Sequence, residues 1–206
     1  MIFTMILLYG QVRGGPLVRV FSGINGSMIK VFFAFKSTFS GGVSVAAGLI
    51  NSDAVYDIVV GAGAGGGPRV KTFDGSNLNV INDFFAFDPS FLGGVYVSTG
   101  NIYGSGVDNI IVGQGAGAQP YVKIFDQNAN LLQSFLAYDL GFSGGVRVAT
   151  GITSSTSNGV NIITGPGIGG SPNVRSFTSS GSPTILNFQA YSIDFSGGAF
   201  VGGRGF

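Results

Sequence analysis

Three stretches carry glycines at a spacing that could do chemistry. They read "GAGAGGGP" at 61–68, "GQGAGAQP" at 113–120 and "GPGIGGSP" at 165–172. In the first, Gly61, Gly63 and Gly66 have the G-x-G-x-x-G spacing of a phosphate-cradling loop. A second candidate set is basic: Arg19, Lys71, Lys123 and Arg175 each stand three positions after a repeated proline. If their strands lined a common axis, the four would form a basic ring able to attract an anion. The plainer reading is that they point into water and offset an otherwise uncharged surface.

Other reactive groups are sparse. The chain has no His, Cys or Trp, and all nine of its acids are Asp. General acid–base chemistry would therefore fall to Asp, Lys or Tyr, and no constellation of these recurs along the sequence. The expectation is a protein with no catalytic residues, not an enzyme. Ten Lys and Arg against nine Asp leave a net charge of +1, which is no footprint for nucleic acid. Absence of Cys excludes a disulfide scaffold or a thiolate metal site. Charged residues make up 9% of the chain and mean hydropathy is +0.44. An ordinary soluble domain carries about 25% charge, so the surface is either Ser, Thr, Asn and Gly or is partly covered by partners. No apolar run approaches the ~18 residues of a membrane span. The opening "MIFTMILLYG" lacks a basic leader and a small-residue cleavage site, and reads as a strand rather than a signal peptide.

The elements that must position these residues follow from a repeat. Pro16, Pro68, Pro120 and Pro172 recur every 52 residues, each followed five positions later by Phe21, Phe73, Phe125 and Phe177. A second landmark, Phe39, Phe91, Phe142 and Phe195, precedes "SGG" or "LGG". Four units result, at about 10–61, 62–113, 114–165, and 166–206 completed by 1–9.

Each unit holds four strand-like runs. Typical members are "GPRVKTF", "DFFAF", "GGVYVSTG" and "DNIIVG", rich in β-branched and aromatic residues and bounded by Gly, Pro, Ser and Asn. Nothing has a helical period. Consecutive apolar positions such as Phe32, Phe33, Ala34 and Phe35 suggest small sheets covered on both faces. Four strands per ~50-residue unit predict an all-β propeller of four blades, each with four antiparallel strands. "MILLYG" aligns with the fourth run, Tyr9 and Gly10 matching Val60 and Gly61, so the N-terminal strand is expected to complete the last blade. Closure within one chain is the favoured reading; the alternative is strand exchange between chains, giving a filament.

In this setting the glycine loops are followed by Pro and a strand, where a phosphate loop needs a helix. They are expected to be structural, linking the outer strand of one blade to the inner strand of the next.

The unit "GGVSVAAGLINSDAVYDIVVGAGAGGGPRVKTFD", with the "DIVVGAGAGGGP" core, the "FFAFDPSFLGGV" hairpin and a residual D-x-[DN]-x-D loop, resembles the FG-GAP or VCBS-like repeats of integrin-type propellers and bacterial surface proteins. The resemblance spans the whole chain. It implies an extracellular or cell-surface module that binds, adheres or assembles. It also implies a Ca²⁺ loop after the third run, for which this chain keeps Asn51, Asp53 and Asp57, while Leu49 and Ala54 replace the opening acid and the glycine. The expected cofactor is none, or Ca²⁺ at that degenerate loop. Tyr96, Tyr103 and Tyr121 could stack on a sugar. Expected partners are thus a protein or a glycan, or further copies of the chain in a fibre or sheath, with no nucleic acid and no membrane span.

Overall fold

The computed structural model describes residues 6–10, 14–51, 53–153 and 159–203, with backbone alone for 6–9. Every regular element in it is a strand. The first sheet holds β1 (Ile6–Gly10), β2 (Leu17–Ser22) and β3 (Met28–Phe33). The second holds β4 (Val43–Gly48), β5 (Asp57–Ala62), β6 (Arg69–Phe73) and β7 (Val80–Phe85). In the third are β8 (Val95–Gly100), β9 (Asn109–Gln114), β10 (Tyr121–Phe125) and β11 (Leu131–Leu136). In the fourth are β12 (Val146–Gly151), β13 (Asn161–Pro166), β14 (Asn173–Phe177) and β15 (Pro183–Gln189). All pairings are antiparallel between strands consecutive in the chain, as in propeller blades.

The sheets stand side by side through β4, β8 and β12, which touch in sequence order and are the innermost strands. Side chains tie them together: Thr99 Oγ1 donates to the Ala47 carbonyl at 2.6 Å, and Thr150 Oγ1 to the Thr99 carbonyl at 2.6 Å. β3, β7, β11 and β15 are outermost and mostly exposed. The architecture is that of β-propeller blades.

The phase of the blades differs from that of the sequence units. A sheet runs third, fourth, first, second in the order of the sequence runs, so each glycine loop is a hairpin inside one sheet, joining its second and third strands. The real crossing from outer to inner edge, about 14 Å across a four-stranded sheet, is 34–42 and its equivalents. The N-terminal strand is corrected by the same shift. β1 takes the fourth-run place, but pairs with β2 (Gly10 opposite Val18) in the first sheet and does not complete the fourth. Residues 1–5, part of the opening run expected to be a strand, and 204–206, the end of the fourth unit, lie outside the described residues.

The core lies between blades rather than within them. Val18, Val20 and Ala34 of the first sheet pack on Val43, Ile58, Val60 and Phe73 of the second. Val59 and Val70 pack on Ile110 and Val112, and Ile111 and Val122 on Val148 and Ile162. Each fully buried Val or Ile contributes about 1.5–3 kcal/mol. An aromatic pair repeats at each junction: Phe32 with Phe73, Phe84 with Phe125 and Phe135 with Phe177, all with centroids 4.9 Å apart.

Candidate functional site

The glycine hairpins cannot cradle a phosphate, because their amides are already engaged by protein carbonyls. Gly63 N donates to Gly42 O at 3.0 Å, Gly66 N to Gly63 O at 3.1 Å and Gly65 N to Leu92 O of the next blade at 2.8 Å. Side chains are excluded by packing: a Cβ on Gly63 would press into the Gly41 carbonyl, and Gly65 has φ +88°. Backbone thus packs on backbone where neighbouring blades meet.

The four basic residues do not line an axis. Arg19, Lys71, Lys123 and Arg175 lie on β2, β6, β10 and β14, the third strands from the inside in the complete sheets. Three of them reach back across a junction to the turn after the preceding outer strand. Lys123 Nζ donates to Ala86 O at 2.9 Å and sits 4.7 Å from the centroid of the Phe87 ring. Arg175 donates to Ala137 O at 3.2 Å and lies 5.1 Å from the Tyr138 ring centroid. Lys71 stands 5.5 Å from the Phe35 centroid and 3.6 Å from Asp83, a carboxylate also held by Arg69 at 2.6 Å. Burial pulls the Lys123 amine below its ordinary value. Each of these three is a latch between blades, set against an aromatic face; Lys123 and Arg175 are compensated by a carbonyl and Lys71 by the Asp83 carboxylate. A signal for this existed, since Phe35, Phe87 and Tyr138 precede their cations by a near-constant interval.

The degenerate Ca²⁺ loop brings Asn51, Asp53 and Asp57 together as a turn. Asp57 is buried and accepts from Ile50 N (3.1 Å), Asn51 N (2.9 Å), Gly75 N (3.1 Å) and Asn51 Nδ2 (3.3 Å). Burial raises its pKa, and the backbone donors only partly offset this. Asn51 Oδ1 accepts from Asp53 N, and Asp53 Oδ1 from Val55 N. The oxygens serve as Asx-turn acceptors and do not converge, so the residues do not fit a Ca²⁺ ion. No group of three or more metal-ligating acids occurs among the described residues. Asp108 has a similar duty across the second junction, accepting from Leu49 N at 2.9 Å. Asp74, Asp88 and Asp126 cap turns, their carboxyls held low partly or wholly by local hydrogen bonds.

The tyrosines do not form a platform. Tyr96 and Tyr121 pack against different junction cores, and Tyr103 donates to Ser179 O at 3.1 Å from an exposed loop. Clefts open beside two of the latches. One, of about 560 Å³, is lined by Phe87, Asp88, Gln114, Tyr121 and Lys123; the other, of about 420 Å³, by Tyr138, Asp139, Arg175 and Asn187. They recur at blade period, and the cations within them are committed to the junctions.

What the described surface does offer is its rim. β3, β7 and β11 expose Met28, Val31, Phe33, Val80, Phe85 and Leu131, with only Lys30 and Asp83 carrying charge on those strands.

No family model matches the chain, and no curated protein does. Among solved structures it is similar to a protein of unknown function from Bacteroides caccae, with 15% identity and a TM-score of 0.53, over 92% of this chain and 60% of that one. It also matches a structure described as the Dos1 propeller at 16% identity and a TM-score of 0.49, over 87% of this chain and 44% of that one. The chain therefore spans less than two thirds of either, and the first likeness concerns fold alone.

Proposed function

We propose that this chain is a non-catalytic propeller module that binds or adheres to a protein partner outside the cell or at its surface, in the manner of FG-GAP/VCBS-like repeats. The observation that carries the reading is the rim of outermost strands. Each is an edge strand with one unpaired hydrogen-bonding side, and its side chains are apolar and exposed. Such an edge accepts an extended segment by strand addition, with the alternate side chains giving specificity. The acids described above, spent on turns and junctions, support a binding role over a catalytic one.

The test is adhesion of the purified chain to immobilised extracellular matrix proteins and to a glycan array. Strong binding to protein surfaces is expected, reduced about tenfold or more by Phe33→Ser, Phe85→Ser and Leu131→Ser combined, with unchanged circular dichroism. Equal adhesion by the folded variant, or binding to glycans alone, would refute the reading.

A further inference from the structure

Each blade junction is built from the same three pieces, and the fourth sheet carries its half of another. The first piece is the outer-strand aromatic: Phe84 and Phe135 are partly buried against Phe125 and Phe177, whereas Phe188, their equivalent on β15, is 50% exposed. The second is the latch aromatic: Phe87 and Tyr138 are 8% and 9% exposed beneath their cations, whereas Tyr191 is 57% exposed. The third is an inner strand laid against the preceding sheet. A Cβ on Gly61 would meet Val95 and Val97, and one on Gly113 would meet Val146 and Val148; in the same way, one on Gly165 would meet Ala199 and Val201. Residues 199–201 therefore occupy the innermost position of a further blade, anchored by Ala199 N donating to Pro166 O at 2.9 Å, with Phe200 75% exposed.

The first sheet is the complement. Among the described residues it consists of β1, β2 and β3 in the places of second, third and outer strands, without an innermost one. At its matching positions it carries Phe21, equivalent to Phe73, Phe125 and Phe177, and Arg19, equivalent to Lys71, Lys123 and Arg175. Gly10 stands where Gly61 and Gly113 pair with the inner strand.

We propose that a second copy of this chain docks head to tail. Residues 199–201 and the open face of the fourth sheet of one copy receive β1–β3 of the other. Phe200 is then placed opposite Gly10, and Phe188 against Phe21. Made twice around a two-fold axis, this junction closes an eight-bladed propeller, within the size range of such rings. The occupant follows from continuity, because the junction repeats an interface that the chain already makes three times. It is independent of the adhesion proposed for the rim.

The chain has no cysteine, so engineered pairs report the contact directly. Phe188→Cys and Phe21→Cys proteins, mixed and oxidised, should give a cross-linked species on non-reducing gels, and the double variant should cross-link between chains. Native mass spectrometry of the wild-type chain should show a particle of twice 21.1 kDa. Phe188→Glu should weaken that dimer about tenfold or more without altering circular dichroism. A wild-type monomer, a cross-link confined within one chain, an open polymer, or a dimer indifferent to Phe188→Glu would each overturn the proposal.

Discussion

The junction between the second and third sheets and the open face of the fourth are written in nearly the same residues and live in opposite environments. "DFFAF" ends with Phe87 buried under Lys123, while "NFQAY" ends with Tyr191 exposed beside Phe195. The difference is the neighbour. Burial in a propeller is a property of the pair of blades, so a repeat that looks like core by composition is core only where the next blade covers it. The same residue type should therefore differ in worth by several kcal/mol between the two places.

The sharpest break in that comparison is Phe125→Ala against Phe188→Ala, measured by thermal melting in dilute solution, where copies are separate. Phe125 is buried against Phe84, so its loss should cost about 3–5 kcal/mol through transfer and cavity terms. Phe188→Ala should cost less than about 1 kcal/mol. Comparable losses would mean that the two faces are equally covered.

A pH titration sharpens it next. Tyr138 sits at the third junction, donating to Asn173 O at 3.0 Å and sharing a 3.1 Å hydrogen bond with Thr164. Burial pushes its phenol up to about 12, against an ordinary 10.0. The unfolded chain releases this proton first, so the stability involved is intact below pH 10. It drains away between pH 10 and about 12, by about 2–3 kcal/mol. Tyr138→Phe should flatten that alkaline fall while costing about 1 kcal/mol at neutral pH for the lost hydrogen bonds. Unchanged alkaline sensitivity in the variant would place the titrating group elsewhere.

Glycine offers a third contrast. A Cβ at Gly93 would press into the carbonyl of Ala116, which is backbone, as well as the Phe91 ring; at Gly197, its counterpart beside the open face, the three nearest atoms all belong to the ring of Phe195, which is exposed. Gly93→Ala should cost about 1–3 kcal/mol by overpacking and Gly197→Ala well under 1 kcal/mol. Equal melting temperatures for the two variants would remove the close approach of the hairpin as a reason for glycine at position 93.

The repeat, the strands and the absence of helix were legible because hydrophobic period and turn residues are local. The phase of the sheets was not. Both "GAGAGGGP" and "AFDPSFLGG" are loops between strands, and the sequence alone gives no reason to make one a hairpin and the other a crossing. Period marks the latch cations but not their place, because an axial ring and a blade junction share one periodicity. Asp57 was similarly visible as an oxygen donor, but its burial beneath Ile50, Asn51 and Gly75 amides depends on a fold that composition does not reveal.

The smallest expected effect concerns the hairpin between third and outer strands, where all four blades need one left-handed residue. Gly26 (φ 71°) and Gly181 (φ 80°) supply it in the first and fourth, but Leu78 (φ 65°) and Ala129 (φ 63°) do so in the second and third. A non-glycine residue pays about 1 kcal/mol for this conformation. Replacement by glycine recovers that cost but gives back part of it through the freer unfolded chain. Leu78 also packs on the first junction core, so Ala129 is the cleaner site. Ala129→Gly should stabilise the chain by about 0.5 kcal/mol, a rise of about 1–2 °C in Tm for a chain of this size. The reverse change, Gly181→Ala, should cost more than that gain, because its Cβ would also meet the Phe135 ring across the third junction at 2.7 Å. If Ala129→Gly lowers Tm, unfolded-chain entropy outweighs backbone strain at this turn, and the use of glycine in two blades and other residues in two reflects that balance.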